Sequence, residues 1–212
     1  MTAVTAGLRE RKKLATRRAL SIAAMQLAIE RGLENVHVED IAERAGVSAR
    51  TFSNYFSGKY EAICCLAMDR TAAIGDALRA RPPAEPLLDA ITHAVLSQYG
   101  PADQVPDQDW IAGVRLVTSS PALRGEYLKT HYLSQRILAE AIAERTGTDT
   151  ARDLFPLVIA GAVSAATQVA MECWLFADPP SAIAPLVRRA LQTLGRLGQG
   201  LESEHLPSED TC

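Results

Sequence analysis

Arg50 and Asn54 are the residues here whose chemistry is most pointed. A guanidinium can make two parallel hydrogen bonds to guanine O6 and N7, and a carboxamide can do the same at adenine N6 and N7. The two stand four residues apart, one helical turn, and at 100° per residue they fall almost opposite Phe52. Thr51 and Ser53 flank them. A helix over these residues would bury Phe52, with Val47 and Phe56 packing beside it, and would present a short polar row to solvent. No comparable grouping suggests catalysis. His93, His131 and Glu172 could be invoked as acid–base groups, but no nucleophile, phosphate loop or metal-ligand spacing accompanies them. Cys64, Cys65, Cys173 and Cys212 have no metal-site spacing. The adjacent pair Cys64–Cys65 suits packing on a helix better than a structural disulfide or a redox sensor.

The elements around the polar row read as a helix-turn-helix. Ile41, Ala42 and Ala45 make an inward stripe on one short helix. Gly46 follows, where a positive φ is wanted to end it. Ser48 can then cap the next helix through its hydroxyl. One helix packs and the second offers the N-terminal part of its polar row to a major groove.

"VEDIAERAGVSARTFSNYFSGKYEA" over residues 38–62 resembles the DNA-binding signature of the TetR family of bacterial transcriptional regulators. Thr16-Arg17, Ala23-Ala24 and Glu30-Arg31-Gly32 match the family's first helix, so the resemblance covers about residues 14–70. It implies a homodimeric DNA-binding protein, and its contacts carry over to Arg17, His37, Ala49, Arg50, Thr51, Ser53, Asn54, Tyr55 and Lys59. His37 departs from the family's usual Thr, so it should cap less well while still reaching a phosphate. Ala49 has only a methyl to offer a thymine. Tyr55 is either a phosphate contact or a ring closing the small core, and Lys59 either a phosphate contact or an ordinary solvated lysine. "SPALRGEYL", "LAEAIAERTGTD" and "DLFPLVIAGAV", with Trp174 beyond them, are more softly similar to a branch with an acyl-CoA-like ligand-binding domain.

Charge distribution agrees with a nucleic-acid-facing end. The 212-residue chain carries a net charge of -3, which taken alone argues against such a partner. Residues 1–60, however, hold ten Lys/Arg against six acids, a net +4, which leaves -7 for the remainder. Six of those bases and one acid lie in residues 1–18. A basic end on an acidic body is the footprint of a DNA-reading end.

The expected fold is all-α with about nine helices: a three-helix head over residues 9–72 with its helix-turn-helix at 37–56, a ligand-binding and dimerisation domain over 73–202, and a flexible tail over 203–212. Residues 1–8 read as disordered and the first helix as Arg9–Arg31. Further helices are expected over Tyr60–Leu78, Leu87–Gln98, a short segment after Asp107, Pro121–Arg145, Ala151–Phe176 and Ser181–Leu201, with Asp178-Pro179-Pro180 as a break. Leu154–Phe176 is apolar almost all round. Pro156, Gln168 and Glu172 and its amphipathic neighbours argue against a membrane span and for burial on every side, which pairing with a two-fold copy through the last two helices would provide. Trp110, Arg115, Tyr127, His131, Gln168, Met171 and Trp174 are candidates to line a cavity for a small lipophilic effector, a fatty acyl group or acyl-CoA. The expected protein is a cytoplasmic repressor of a palindromic double-stranded DNA operator, with no cofactor and no metal. An activator, a DNA-binding dimer that senses nothing and a small helical enzyme are the competing readings.

Overall fold

A computed structural model describes residues 2–177 and 181–200. Among the described residues there are nine α-helices and no strand: α1 (Thr2–Arg31), α2 (Val38–Arg44), α3 (Ala49–Ser53), α4 (Lys59–Arg79), α5 (Leu87–Leu96), α6 (Gln108–Ser119), α7 (Arg124–Thr146), α8 (Leu154–Leu175) and α9 (Ala184–Gly200). The break at 178–180 and the tail at 203–212 lie outside the described residues.

Several boundaries differ from expectation, among them the α5 end at Leu96 rather than Gln98 and the α9 start at Ala184 rather than Ser181, and three have a local cause. Helix α1 begins at Thr2 rather than Arg9. Residues 2–8 contain no proline, and Gly7 alone does not stop a helix that good helix formers extend on the C-terminal side. Helix α8 begins at Leu154 rather than Ala151, because carboxylates take over the backbone donors before it. Asp149 Oδ1 accepts the Ala151 N–H at 2.9 Å and Asp153 Oδ2 accepts the Asp149 N–H at 2.7 Å, the competition typical of Asp at helix starts. Pro121 opens a 3₁₀ turn over Pro121–Leu123, and only then does α7 begin.

The chain divides into two compact units. Of the described residues, 2–71 with 107–134 form one, and 72–106 with 135–177 and 181–200 the other. Helix α6 and the first half of α7 group with the helices of the first unit.

The first unit is centred on Leu20, Ala24 and Leu27 of α1, Ile41 of α2, Phe52 and Phe56, and Ile63 of α4, all buried. Charged contacts tie its helices together. Arg44 grips Glu30 through two bonds of 2.9 and 2.8 Å, and this pairing holds the Glu30 carboxyl below the usual carboxylate range. Where α6 meets α1, Gly113 leaves room for Met25: a Cβ there would lie 3.2 Å from the Met25 sulfur.

In the second unit Arg145 of α7 clamps the turn after α4, donating to the carbonyls of Arg81, Pro82 and Glu85 at 3.2, 2.6 and 2.8 Å. Glu85 is itself held by Arg81 and by His93 Nδ1. Helix α9 packs on α8 and α5. Buried Trp174 donates its indole N–H to the Ser181 carbonyl at 2.6 Å, which fixes the chain just before α9.

Helix α8 is long and apolar enough to cross a membrane by length and composition. It is not buried on every side in the single chain. Pro156, Ala160, Val163, Ala170 and Trp174 face inward, whereas Leu154, Val158 and Val169 are 76%, 60% and 56% exposed. The exposed residues recur at helical spacing with Ala165 between them, so they form one wet apolar strip.

Candidate nucleic-acid interface

The polar row rests on a helix of only five residues, α3. An isolated helix of that length is far too short to hold itself together, so its order comes from its ends and its buried side. Before it, Gly46 takes φ +69°, the left-handed conformation that lets the chain turn from α2. At its start Ser48 Oγ accepts the Thr51 N–H at 3.1 Å and lies 2.9 Å from the Thr51 hydroxyl. Beneath it Phe52 is 1% exposed, with the Phe56 ring centroid 5.6 Å away. Above it Arg50 and Asn54 are exposed, and neither side chain has a hydrogen-bond or ionic partner among the described residues. Buried ring below and two unsatisfied hydrogen-bonding groups above is the arrangement that a groove-reading helix requires.

The other candidates are placed differently. Ser53 is exposed, but its hydroxyl donates back to the Ala49 carbonyl at 3.1 Å. Thr51 spends its hydroxyl on Ser48, Ala49 is half-buried, and Tyr55 is half-buried against the core of the head. His37 is exposed, and its backbone N–H is met by Asp40 Oδ2 at 3.1 Å, so α2 gains a start from Asp40 where Thr was missing.

Two bases of the row's surroundings are engaged inside the head. Arg17 donates to Asp69 Oδ1 at 2.9 Å and sits 5.4 Å from the Phe56 ring centroid. Lys59 Nζ donates to the carbonyls of Leu33 and Val36 at 2.8 and 3.0 Å and lies 5.5 Å from the Tyr60 ring centroid. It therefore staples the start of α4 to the turn between α1 and α2. Neither bond was legible locally, since the partners lie 52 and 26 or 23 positions away. Glu61 was not singled out from sequence either. Burial pushes its carboxyl up, but the Ser57 N–H and hydroxyl, at 2.8 and 2.7 Å, hold it below the usual range. The Ser57–Glu61 pair at the mouth of α4 was the available signal.

Comparison with known proteins decides the family. Residues 22–61 match the family described as "Bacterial regulatory proteins, tetR family", and residues 85–198 match the "MftR C-terminal domain". The chain belongs to the TetR family. It is 34% identical over 177 residues to the HTH-type transcriptional regulator TcmR of Streptomyces glaucescens, covering 79% of this chain and 76% of that protein. Its fold is shared with the fatty acid degradation regulator FadR from Bacillus halodurans, with a TM-score of 0.56, 18% identity and coverage of 84% and 94% of the two chains. It is shared also with SmeT, the repressor of the Stenotrophomonas maltophilia multidrug efflux pump SmeDEF, with a TM-score of 0.55, 14% identity and coverage of 85% and 89%. The protein is thus a TetR-family DNA-binding transcriptional regulator, of a family that works by binding rather than catalysis.

In this TetR-family chain the seven candidate effector residues fall in both compact units. Trp110, Arg115, Tyr127 and His131 belong to the first, and Gln168, Met171 and Trp174 to the second. In the first, Tyr127 stacks on His131 at 6.0 Å and Arg70 sits 5.2 Å from the Trp110 ring centroid, while Arg115 is exposed. In the second, Gln168 donates to Glu172 Oε1 at 3.0 Å and Met171 is half-buried. Trp174 is 2% exposed and bonded to Ser181, which makes it a core residue of its unit. The thiols near the head are packed away. Burial, then the charge of Glu126 and the neighbouring Cys65, pushes the Cys64 thiol up to about 12, and burial raises Cys65 as well. Thiols so shifted carry little thiolate, which speaks against redox sensing at either position.

Proposed function

We propose that the protein is a cytoplasmic repressor that reads a palindromic operator as a homodimer and releases it when a small lipophilic effector binds. Arg50 and Asn54 are the base-reading residues. Their exposure, unpartnered, above the buried Phe52 is the observation that carries this reading. Thr51, Ser53 and Ala49 line the same edge, and His37, Tyr55, Arg17 and Lys59 border it. One such edge reads only a few base pairs, so two heads about 34–36 Å apart are needed for a specific site. The wet apolar strip on α8 supports pairing of α8 and α9 with their two-fold copies, because a second subunit would take Leu154, Val158 and Val169 out of water.

Residues 9–72 serve as the reading head and 73–202 as the sensing and pairing part. Within the first unit the side chains at Trp110, Arg115, Tyr127 and His131, and within the second those at Gln168 and Met171, are each of the kind that suits an effector with an apolar body and a polar head, a fatty acyl group or acyl-CoA. Effector and operator affinities are then reciprocally linked. The test is to sequence the DNA that the purified protein selects, with and without a long-chain acyl-CoA. Selection of a palindrome that the acyl-CoA abolishes is the expected result, and absence of any selected sequence refutes the reading. Arg50→Ala should cost about 1–3 kcal/mol on the selected operator and relax one base position per half-site. An equal loss on random DNA would demote Arg50 to a backbone contact.

A further inference from the structure

Helix α1 changes character along its length. Its inward stripe at Leu20, Ala23, Ala24 and Leu27 is apolar and buried. Stepping toward the N-terminus by threes and fours, the same stripe continues through Thr16, Lys13, Lys12 and Arg9. The three bases are exposed. The helix has left the core there, and the side that would have packed carries positive charge instead. Arg11 and Arg18 are exposed as well, and Glu10 is the one acid between residues 7 and 18.

Internal pairing separates this segment from most other bases of the head, Arg50 apart. Arg17 is held by Asp69, Arg31 by Asp40, Arg44 by Glu30, and Lys59 by two carbonyls. Arg9, Lys12, Lys13 and Arg18 have no acidic partner among the described residues. Like charges three and four residues apart repel along a helix, and a helical stretch without tertiary contacts is marginal in water. A polyanion laid along the stripe would relieve both.

We propose that Arg9, Lys12 and Lys13 form an arm that holds the phosphate backbone of duplex DNA flanking each half-site. The proposal rests on the DNA-reading function given above and extends it to DNA that α3 does not touch. Its location follows from Arg17. That guanidinium lies over Phe56, three residues past the end of α3, so α1 passes close to the end of the reading element at Arg17, and its basic part lies on the N-terminal side of that point. From Arg17 to Arg9 the helix rises roughly 12 Å, a length over which a duplex carries about seven phosphate charges. The burden of phosphate contact thus shifts from Arg17 and Lys59, which are spent internally, to bases that have nothing else to hold.

The experiment uses the full chain and a triple variant, Arg9→Gln, Lys12→Gln and Lys13→Gln, since glutamine keeps helix propensity close to that of Arg and Lys. Equal thermal melts establish that the variant folds. Affinity is measured against salt on the selected operator with flanks of ten base pairs and on the same operator trimmed of flanks. Expected is a salt slope shallower by roughly 2–3 per subunit on the flanked duplex, a shortened hydroxyl-radical footprint, an unchanged base preference, and no difference between proteins on the trimmed duplex. Equal slopes on the flanked duplex overturn the arm while leaving groove reading intact. Equal slopes together with lost retention on phosphatidylglycerol vesicles overturn it in favour of a membrane surface. Should the wild-type chain select no sequence, groove reading fails, and the same slope comparison on random duplex still decides the arm.

Discussion

Lys59→Met separates what the family resemblance implies from what the structure shows. The resemblance makes Lys59 a phosphate contact; the structure makes it a staple. Removing the ammonium deletes two charge-assisted bonds, of 2.8 and 3.0 Å, and leaves the Leu33 and Val36 carbonyls to find water. Bonds to charged groups contribute about 1.5–3 kcal/mol each. Lys59 is half-exposed and water can reach the vacated carbonyls, so the pair is discounted to about 2 kcal/mol in total. The cation lying 5.5 Å from the Tyr60 ring adds about 0.5 kcal/mol at most. For a chain of this size, 2 kcal/mol lowers the melting temperature by about 4–8 °C. The assay is a thermal melt of each protein, paired with operator affinity measured across a salt series. The staple requires the melt to fall while the salt slope stays put. An unchanged melt with a slope reduced by about one would refute the reasoning and return Lys59 to the phosphate.

Phe52→Ala should destabilise the first unit by about 3–5 kcal/mol, because the ring is 1% exposed and its loss leaves a cavity next to Phe56; urea unfolding measures it, and a loss under 1 kcal/mol would contradict the anchoring role. Native protein treated with iodoacetamide at pH 8 should resist alkylation at buried Cys64 and Cys65, which should both react once the chain is unfolded in urea, and peptide mass spectrometry would expose the error if Cys64 reacted in the native protein. The Arg81 guanidinium, and then His93, hold the Glu85 carboxyl down at about 2, against 4.5 when unpaired. A depressed carboxyl contributes stability that is present above the unfolded value and lost as pH falls from about 4.5 toward 2. Glu85→Gln should therefore flatten the acid limb of the stability curve over that window, and an unaltered limb would show that the pair does not couple to folding.

What the sequence made legible was local. Gly46, Ser48 and Phe52 declare turn, cap and anchor by residue type within a few positions, and the structure places each in that role. The TetR-family assignment rests on the same short register and is matched over residues 22–61. What stayed hidden depends on partners distant in the chain. Arg17 looked like a free base until Asp69, 52 positions on, was found beside it. Arg145 gave no sign that it would bind carbonyls 60 to 64 positions earlier. Helix α8 read as apolar on all sides, and only the packing of α9 shows which side is dry and which wet. Asp149 has the residue type that opens a helix, but its bonds and those of Asp153 hold a turn there instead and put the start of α8 at Leu154.

The five residues of α3 and its C-cap Asn54 divide two roles between opposite directions of one short turn. Everything that keeps the element in place points down into Phe52's pocket or sits at its ends; everything that could discriminate one base from another points up. Under the base-reading role proposed for Arg50 and Asn54, exchanging either would change the address a regulator answers to without disturbing its mounting. A lineage of such proteins can diverge in target while its members remain interchangeable as folded objects.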